Sequence, residues 1–474
     1  MTSAIKDPAA DVARSDRAFL GHPIGLAYLS FAEAWERFSY YGMLGMLTLY
    51  LTTQLLLPGH VEHVAGMAGF RGVIESLRGP MSVTAFATQI SGLYGGLVYL
   101  TPIIGGLVAD RALGRKATVT IGAVTMALGH FLMAFEMPFL LALLCLLIGV
   151  GFFKGNIASQ VGALYKPGDK RITSAFQVYY IGINVSVIVA PLVCGTLGET
   201  VGWHWGFGAA GIGMLIGLVV YLAGSAHLPA DPLIERRQGR GGAAPTLRKG
   251  EGKLLVLLAL LLPVMALGVT GNQQIFVTYP AWADQSADLV LFGREMPRTW
   301  LLSIDAITST GFLVGSIVFW RWWSKTRTEP SEIAKMGIGY LMSIAGLASL
   351  AIGSHVAELD GTKVSLGFLL AFHFLNSIGF SNAFPAALAL YARLAPPALS
   401  ATMMGVFYLH FFAASNLAGF LGGYLEKMPA SQFWAMHAAM VGFAGIVVLL
   451  VRRYFGHMLH ATELRGSSPS GESC

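Results

Sequence analysis

Glu33-Ala34-Trp35-Glu36-Arg37-Phe38-Ser39-Tyr40-Tyr41-Gly42 decides how this chain is read, because it sets three ionisable residues inside an apolar run of about 27–55. A charge at the centre of a bilayer costs on the order of 3 kcal/mol on insertion scales, so such a group needs partners or water. On a helix Glu33 and Arg37 are i,i+4 neighbours and Glu33 and Glu36 are i,i+3, which gathers them on one side. Tyr40 and Tyr41 continue the same stripe one turn on. That face must look into a protein interior or a water-filled cavity. Two readings follow: a self-neutralising cluster that locks helices together, and a site that carries protons. Two acids share one base here, and the excess acid takes up a proton more easily, which favours the second.

The rest of the chain supplies the setting. Of 474 residues, 55% are hydrophobic and only 12% charged, against roughly 25% charged in a soluble globular chain. This excludes a water-soluble multidomain enzyme, and it excludes disorder, which requires low hydrophobicity and high charge. An all-α membrane protein remains, and the length suits roughly ten to fourteen spans. Apolar stretches lie at about 27–55, 86–109, 117–135, 137–160, 173–197 and 207–227, then at about 253–283, 299–323, 334–354, 364–391, 401–424 and 431–454. The expected organisation is a tail 1–26, a six-helix bundle 27–228, a linker 229–252, a second six-helix bundle 253–454 and a tail 455–474. The linker sets Arg236, Arg237, Arg240, Arg248 and Lys249 among Gly and Pro, a solvated composition.

The net charge of +6 is read as the Lys/Arg excess of cytoplasmic loops. Arg111, Arg115, Lys116, Lys166, Lys170, Arg171, Arg321, Lys325, Arg327 and Lys335 join the linker on one side. The opposite loops hold Arg71, Arg78, Arg294, Arg298, Lys363 and Lys427. Both termini are therefore expected in the cytoplasm, and residues 56–85 form an outer loop with room for an interfacial helix. The first twenty residues, with Asp7, Asp11 and Asp16, lack the apolar core of a signal peptide, so insertion through the first span is expected. Cys145, Cys194 and Cys474 offer neither a metal-site spacing nor a disulfide framework. Two six-helix halves with both ends inside match the secondary transporters, whose substrate site lies near the midplane. The Ala- and Arg-rich composition points to a bacterial inner membrane.

Further polar residues stand in apolar surroundings. Lys154, in Gly149-Val150-Gly151-Phe152-Phe153-Lys154-Gly155-Asn156, is costly unless paired; snorkelling toward the cytoplasmic end is the alternative. Asp305 lies in the eighth span, a few residues from its outer end, where simple hydration competes with a functional role. His130, His373 and His410 each stand alone and read as packed or hydrogen-bonded residues more readily than as proton carriers. The Gly105–Lys116 segment reads as a conformational latch. Its glycines, Gly106 and Gly114 among them, permit close helix approach, Asp110 can meet a helix N-terminus or an Arg across the cytoplasmic interface, and Arg111 and Arg115 complete the expected latch.

Together these pieces resemble the proton-dependent oligopeptide transporter family of the major facilitator superfamily. Glu33 to Gly42 fits that family's ExxERFxYYG motif. Gly151-Phe152-Phe153-Lys154-Gly155-Asn156 with Val161-Gly162-Ala163-Leu164-Tyr165 resembles its fourth helix. Tyr179-Tyr180-Ile181-Gly182-Ile183-Asn184-Val185-Ser186 approximates FYxxINxG, and Tyr99 matches a pocket tyrosine. The resemblance implies a major facilitator fold of about 12 helices and proton-coupled uptake of di- and tripeptides by alternating access. It also implies no enzymatic activity, no cofactor beyond the coupling proton, and a monomer in the lipid bilayer. By the same resemblance Glu33, Glu36 and Arg37 take part in proton coupling. Lys154, Arg37, Asn184, Tyr40, Tyr41 and Tyr99 receive the peptide.

The departures from the family pattern are specific. Leu44 stands where the family has Arg, and Asn272-Gln273-Gln274 where it has Glu before Gln, so both partners of an outer-gate ion pair are missing together. Losing one alone would strand a buried charge at roughly 3–5 kcal/mol, whereas losing both is nearly neutral. Phe380 replaces the tenth-helix Glu, Phe407 the eleventh-helix Trp, and Asp305 the eighth-helix Asn of SxNP. Asp305 is accordingly expected to hold the substrate's amino group, to pair with Lys154, or to assist proton coupling, with Phe380 and Phe407 at the substrate site. A drug, nitrate or amino-acid carrier of the same fold is the nearest rival. An intramembrane enzyme lacks a catalytic constellation, and Arg37 with Lys154 would oppose cation flow in a channel.

Overall fold

The computed structural model describes residues 16–166, 169, 171–229, 231, 251–291, 293–395 and 400–460. Lys170, Cys474, both tails beyond these limits and the basic residues expected in the linker lie outside the described residues. Long helices dominate: α1 (Ile24–Tyr50), α2 (Met67–Arg78), α3 (Val83–Val108), α4 (Arg115–Leu132), α5 (Phe139–Ala163), α6 (Ile172–Ala190) and α7 (Trp203–Ala223). They are followed by α8 (Glu251–Gln273), α9 (Tyr279–Ser286), α10 (Trp300–Trp323), α11 (Glu332–Asp360), α12 (Leu366–Leu394), α13 (Ser400–Gly422) and α14 (Ala430–His460).

Among the described residues, 10 helices are long and apolar enough to cross a membrane, which makes this an integral membrane protein. α1 and α4, at 27 and 18 residues, have spanning length with a more polar sequence. The polar stripe of Glu33, Glu36 and Arg37 is the reason in α1. The stretch expected as one span at 253–283 is broken: α8 stops at Gln273, a tight turn covers Gln274–Phe276, and α9 starts at Tyr279. Pro280 sits in the first turn of α9, where its missing N–H costs nothing. The Thr278 N–H finds the Gln274 side-chain oxygen at 3.3 Å instead of a helical carbonyl. The 56–85 segment carries α2, which exposes Val73 and Leu77 and is braced by an Arg71–Glu75 pair at 2.9 Å. That pattern suits a helix lying in the membrane interface.

The chain packs as two units that interleave in sequence. Of the described residues, the first comprises those within 16–83, 100–231 and 299–303; the second comprises those within 84–99, 251–298 and 304–460. In the first unit α1 lies against α6 and α7, and α4 against α5 and α7. In the second, α11 packs on α12 and α14, and α8 on α13 and α14. Residues 84–99 of α3 join them through α13: the Thr88 hydroxyl donates to the Gly419 carbonyl at 3.3 Å. Two short pairings lie in loops of the second unit, Ala287–Asp288 parallel to Val364–Ser365 and Val290–Leu291 antiparallel to Arg294–Glu295.

With lipid tails as apolar as leucine, helices in a membrane associate through close packing, for which small residues are needed. In the first unit this is most acute where Gly105 of α3 meets α5: a Cβ there would run into the Gly151 carbonyl, whereas one on neighbouring Gly106 would meet nothing within 4 Å. Gly105→Leu is therefore expected to destabilise by about 1–3 kcal/mol through overpacking. Gly106→Leu should stay within roughly 0.5 kcal/mol. Thermal unfolding of the detergent-solubilised variants reads the difference, and equal melting temperatures would refute the close contact.

Candidate functional site

In the first unit, α1 turns Glu33, Glu36 and Arg37 inward, each at most 3% exposed. Arg37 donates from Nη2 to Glu36 Oε1 at 2.7 Å and from Nε to Glu36 Oε2. The same Nε lies 3.3 Å from Glu33 Oε1, so the i,i+4 pair is made. Glu36 is adjacent in sequence to Arg37 and reaches it because both side chains are long enough to fold toward a common point. The guanidinium sits 5.1 Å from the centre of the Tyr40 ring, a cation–π contact that costs no second charge. Tyr41 packs edge-on against Tyr40 at 5.0 Å. Glu33 Oε2 is buried with no hydrogen-bond partner among the described residues, and Tyr179 of α6 is coupled electrostatically to this carboxylate.

Lys154 projects from α5, half-buried and within electrostatic reach of Glu33, Glu36 and Arg37. Four ionisable groups therefore share one region, two acids and two bases, neutral as a set when all are charged. Their chemistry follows from that balance. Protonating one acid frees part of the cationic charge, and an incoming carboxylate can take it; proton and anion together leave the net charge unchanged. Asn184 is half-buried on α6, two residues beyond Gly182. At Gly182 a Cβ would rest 3.4 Å from both Ala34 Cβ and the Ser30 carbonyl of α1.

The second unit holds the other predicted residues. Tyr99 stacks on Phe411 at 5.0 Å and on Tyr408 at 6.4 Å. Phe380 stacks on Phe384 at 5.1 Å, and Phe384 lies 6.0 Å from Phe407. Tyr99 and Phe380 rest on an apolar patch that includes Ala266 and Val269 of α8. Tyr99, Phe380 and Phe407 thus belong to one aromatic wall. Asp305 of α10 is buried, with its Oδ1 3.1 Å from His373 Nδ1. The other imidazole nitrogen, Nε2, lies 2.9 Å from the Tyr279 hydroxyl. The reading of His373 as a lone residue is corrected here: Asp305, His373 and Tyr279 are 68 and 94 positions apart, and no spacing in the sequence joins them.

The positions of the missing ion pair carry neutral groups in the structure as well. Leu44 is buried. Gln273 donates to the Ser415 hydroxyl, and Gln274 Nε2 lies 3.3 Å from the Ala418 carbonyl and 2.8 Å from His437 Nε2. At the latch segment, Gly114 adopts φ +80°, and a Cβ there would strike the Asp231 carboxylate. The Lys116 N–H faces Asp231 Oδ2 at 3.4 Å, and its ammonium donates to the Ser225 and Leu228 carbonyls at 3.2 Å. Asp110 and Arg111 are exposed and Gly106 and Arg115 half-buried; these two arginines and Asp110 enter no ion pair among the described residues. Asp231 is the partner that sequence reasoning missed; Lys116, at the end of the expected latch, is the residue that meets it. His130 is buried and His410 contacts the Phe407 carbonyl, as packed residues do.

Ionisable clusters buried within a bundle of spanning helices define the class: a polytopic membrane transporter. Residues 116–236 match the profile of the POT family, PTR2. The uncharacterized transporter YclF of Bacillus subtilis is 30% identical over 92% of this chain and 94% of its own length. The peptide transporter YePEPT of Yersinia enterocolitica is 29% identical over 92% and 95%. A di-/tripeptide transporter of Lactococcus lactis is 26% identical over 93% and 97%. Among solved structures, peptide transporter POT in complex with sulfate superposes with a TM-score of 0.79 at 24% identity, over 95% of this chain and 99% of that one. A POT family transporter in complex with 5-aminolevulinic acid gives 0.74 at 23% identity, over 92% and 97%; both establish the shared fold. The chain belongs to the POT family, a family of transporters and not of enzymes.

Removing one member of a buried charge set strands the others. Arg37→Ala is expected to destabilise by roughly 3–5 kcal/mol, because two buried acids lose their common base. Arg37→Lys, which keeps the charge, should lose less. Melting of the purified variants in one detergent checks this, and a cost below about 1 kcal/mol for the alanine variant would contradict the geometry.

Proposed function

We propose that the protein is a proton-coupled symporter that imports di- and tripeptides by alternating access, working as a monomer in a bacterial cytoplasmic membrane with both termini inside. The observation that carries this reading is the four-charge cluster of the first unit, Glu33, Glu36, Arg37 and Lys154, in which a proton and a substrate carboxylate arrive as a neutral pair. Relatives named as peptide transporters, matched over 92% and 93% of this chain, support the substrate class. Bacterial relatives support the membrane.

In this mechanism Arg37 and Lys154 receive the peptide carboxylate, since a desolvated cation pair suits an anion and Arg adds a forked donor. Asn184, Tyr40, Tyr41 and Tyr99 supply hydrogen bonds to the peptide backbone. Phe380 and Phe407 line the side of the substrate with apolar surface, and Asp305 answers the amino terminus. Glu33 and Glu36 exchange the coupling proton. Gly106, Asp110, Arg111, Gly114 and Arg115 serve the cytoplasmic latch. The driving force suffices, because one charge moved across 100 mV supplies roughly 2.3 kcal/mol, or about fifty-fold accumulation.

Proteoliposomes under an imposed pH gradient should concentrate labelled di-alanine, and an ionophore should abolish the effect. Glu33→Gln and Glu36→Gln should lose concentrative uptake, while exchange of internal for external peptide persists. Accumulation that survives both substitutions would overturn the coupling role. Competition by free amino acids as strong as that by di-alanine would instead assign a smaller zwitterion as cargo. Asp305→Asn should alter substrate preference or pH-driven uptake; no change in either would remove Asp305 from the mechanism.

A further inference from the structure

The Tyr279–His373–Asp305 chain joins three buried side chains of the second unit, and only Asp305 has a place in the scheme above. An isolated carboxylate within a span is expensive, and the buried His373 imidazole bonds that carboxylate through one nitrogen and a reversible hydroxyl through the other. With His373 neutral, Nδ1–H donates to Asp305 across 3.1 Å and Nε2 accepts the Tyr279 O–H across 2.9 Å. With His373 protonated, Nδ1–H still donates to Asp305, Nε2–H donates to Tyr279, and the hydroxyl rotates from donor to acceptor. One proton is gained at Nε2, no other bond changes, and every hydrogen bond survives. The pair's charge passes from −1 to zero.

The surroundings leave this pair as the local charge. On α9, Tyr279 is the direct neighbour and Asp284 is paired with Arg298 at 2.7 Å. On α14, His437 is held by Gln274 and by the Phe433 carbonyl, each at 2.8 Å. On α13, His410 contacts the Phe407 carbonyl. Along α11 no ionisable residue stands between Tyr340 and His355, and the sequence of α8 from Leu254 to Gln273 has none. Arg321 lies at the far end of α10, and Arg393 of α12 is paired with Glu332 at 3.2 Å. The next polar groups on the α10–α12 seam are hydroxyls: Ser377 bonds Thr308 at 2.9 Å and Ser309 at 3.0 Å.

We propose that Asp305 and His373 act as one proton-binding pair of the second unit, with Tyr279 as the reversing hydroxyl, and that the proton taken up at Nε2 travels inward with the substrate. Loaded, the pair is neutral; after release of proton and substrate the neutral imidazole again donates to the Asp305 carboxylate. His373 is thus a positioning and proton-carrying residue acting through Asp305. This rests on the peptide-symport reading, since the proton is taken to move with the substrate.

Two measurements decide it. In proteoliposomes, His373→Gln should lower the di-alanine accumulation reached at a fixed pH gradient about tenfold and flatten its dependence on pH. A wild-type pH profile and accumulation in that variant would overturn the proposal. The second needs no folded variant: nitrogen NMR of histidine-labelled wild-type protein should show a buried imidazole, assigned to His373, that gains a proton at Nε2 on acidification and keeps it with di-alanine bound. A His373 imidazole that stays in one protonation state throughout overturns the proposal. If the wild-type protein fails to accumulate di-alanine, the symport reading falls by itself; the imidazole titration in the absence of peptide still decides whether the pair binds a proton.

Discussion

One guanidinium held by two carboxylates inside an apolar helix is the constraint from which the first unit is built. Arg37 cannot lose its proton, so its charge must be answered where it stands. Glu36 answers it through two hydrogen bonds and Glu33 through a third contact at 3.3 Å. That arrangement requires α1 to be covered, and α6 and α7 cover it. The excess acid then needs a further cation, which Lys154 supplies from α5. A buried charge set of this kind is weak evidence for stability, because an apolar replacement of the same volume is often as stable. On the proposed symport reading, it is the cost of handling a proton and an anion together.

The second unit follows a different logic. Where charges are absent, the space is taken by rings and by neutral hydrogen bonds: Tyr99, Phe380, Phe384 and Phe407 form a wall, and Gln273 and Gln274 are satisfied by a hydroxyl, a carbonyl and an imidazole. Replacing both partners of an ion pair by neutral groups avoids the penalty that replacing one would bring. Against that neutral background the Asp305 carboxylate stands out, and the His373 imidazole and Tyr279 hydroxyl give it a hydrogen-bonded chain in which a proton can be stored.

Much of this was legible in the sequence because helical periodicity and apolar run length are local signals. The Glu33–Arg37 pairing follows from i,i+4 spacing, and the spanning helices follow from the apolar stretches. The break after Gln273 was less visible: an apolar run gives no sign that Gln274 will cap the Thr278 N–H, and Pro280 reads equally as a tolerated proline in a span. The Asp305–His373 contact and the Asp231 carboxylate against Gly114 were invisible for a physical reason. Each joins residues far apart in the chain, so only tertiary packing brings them together, and a lone polar residue in a span looks the same whether or not it has a distant partner.

The central claim is that the Glu33/Glu36 carboxylates, buried in this structure, open to water and substrate during the transport cycle. Labelling by a water-soluble carbodiimide, followed by mass spectrometry of the peptide containing residues 33–37, tests it directly. The account predicts modification at Glu33 or Glu36 that increases as pH falls and slows when di-alanine is present. Carboxylates that never react, or that react at a rate indifferent to peptide, would contradict it.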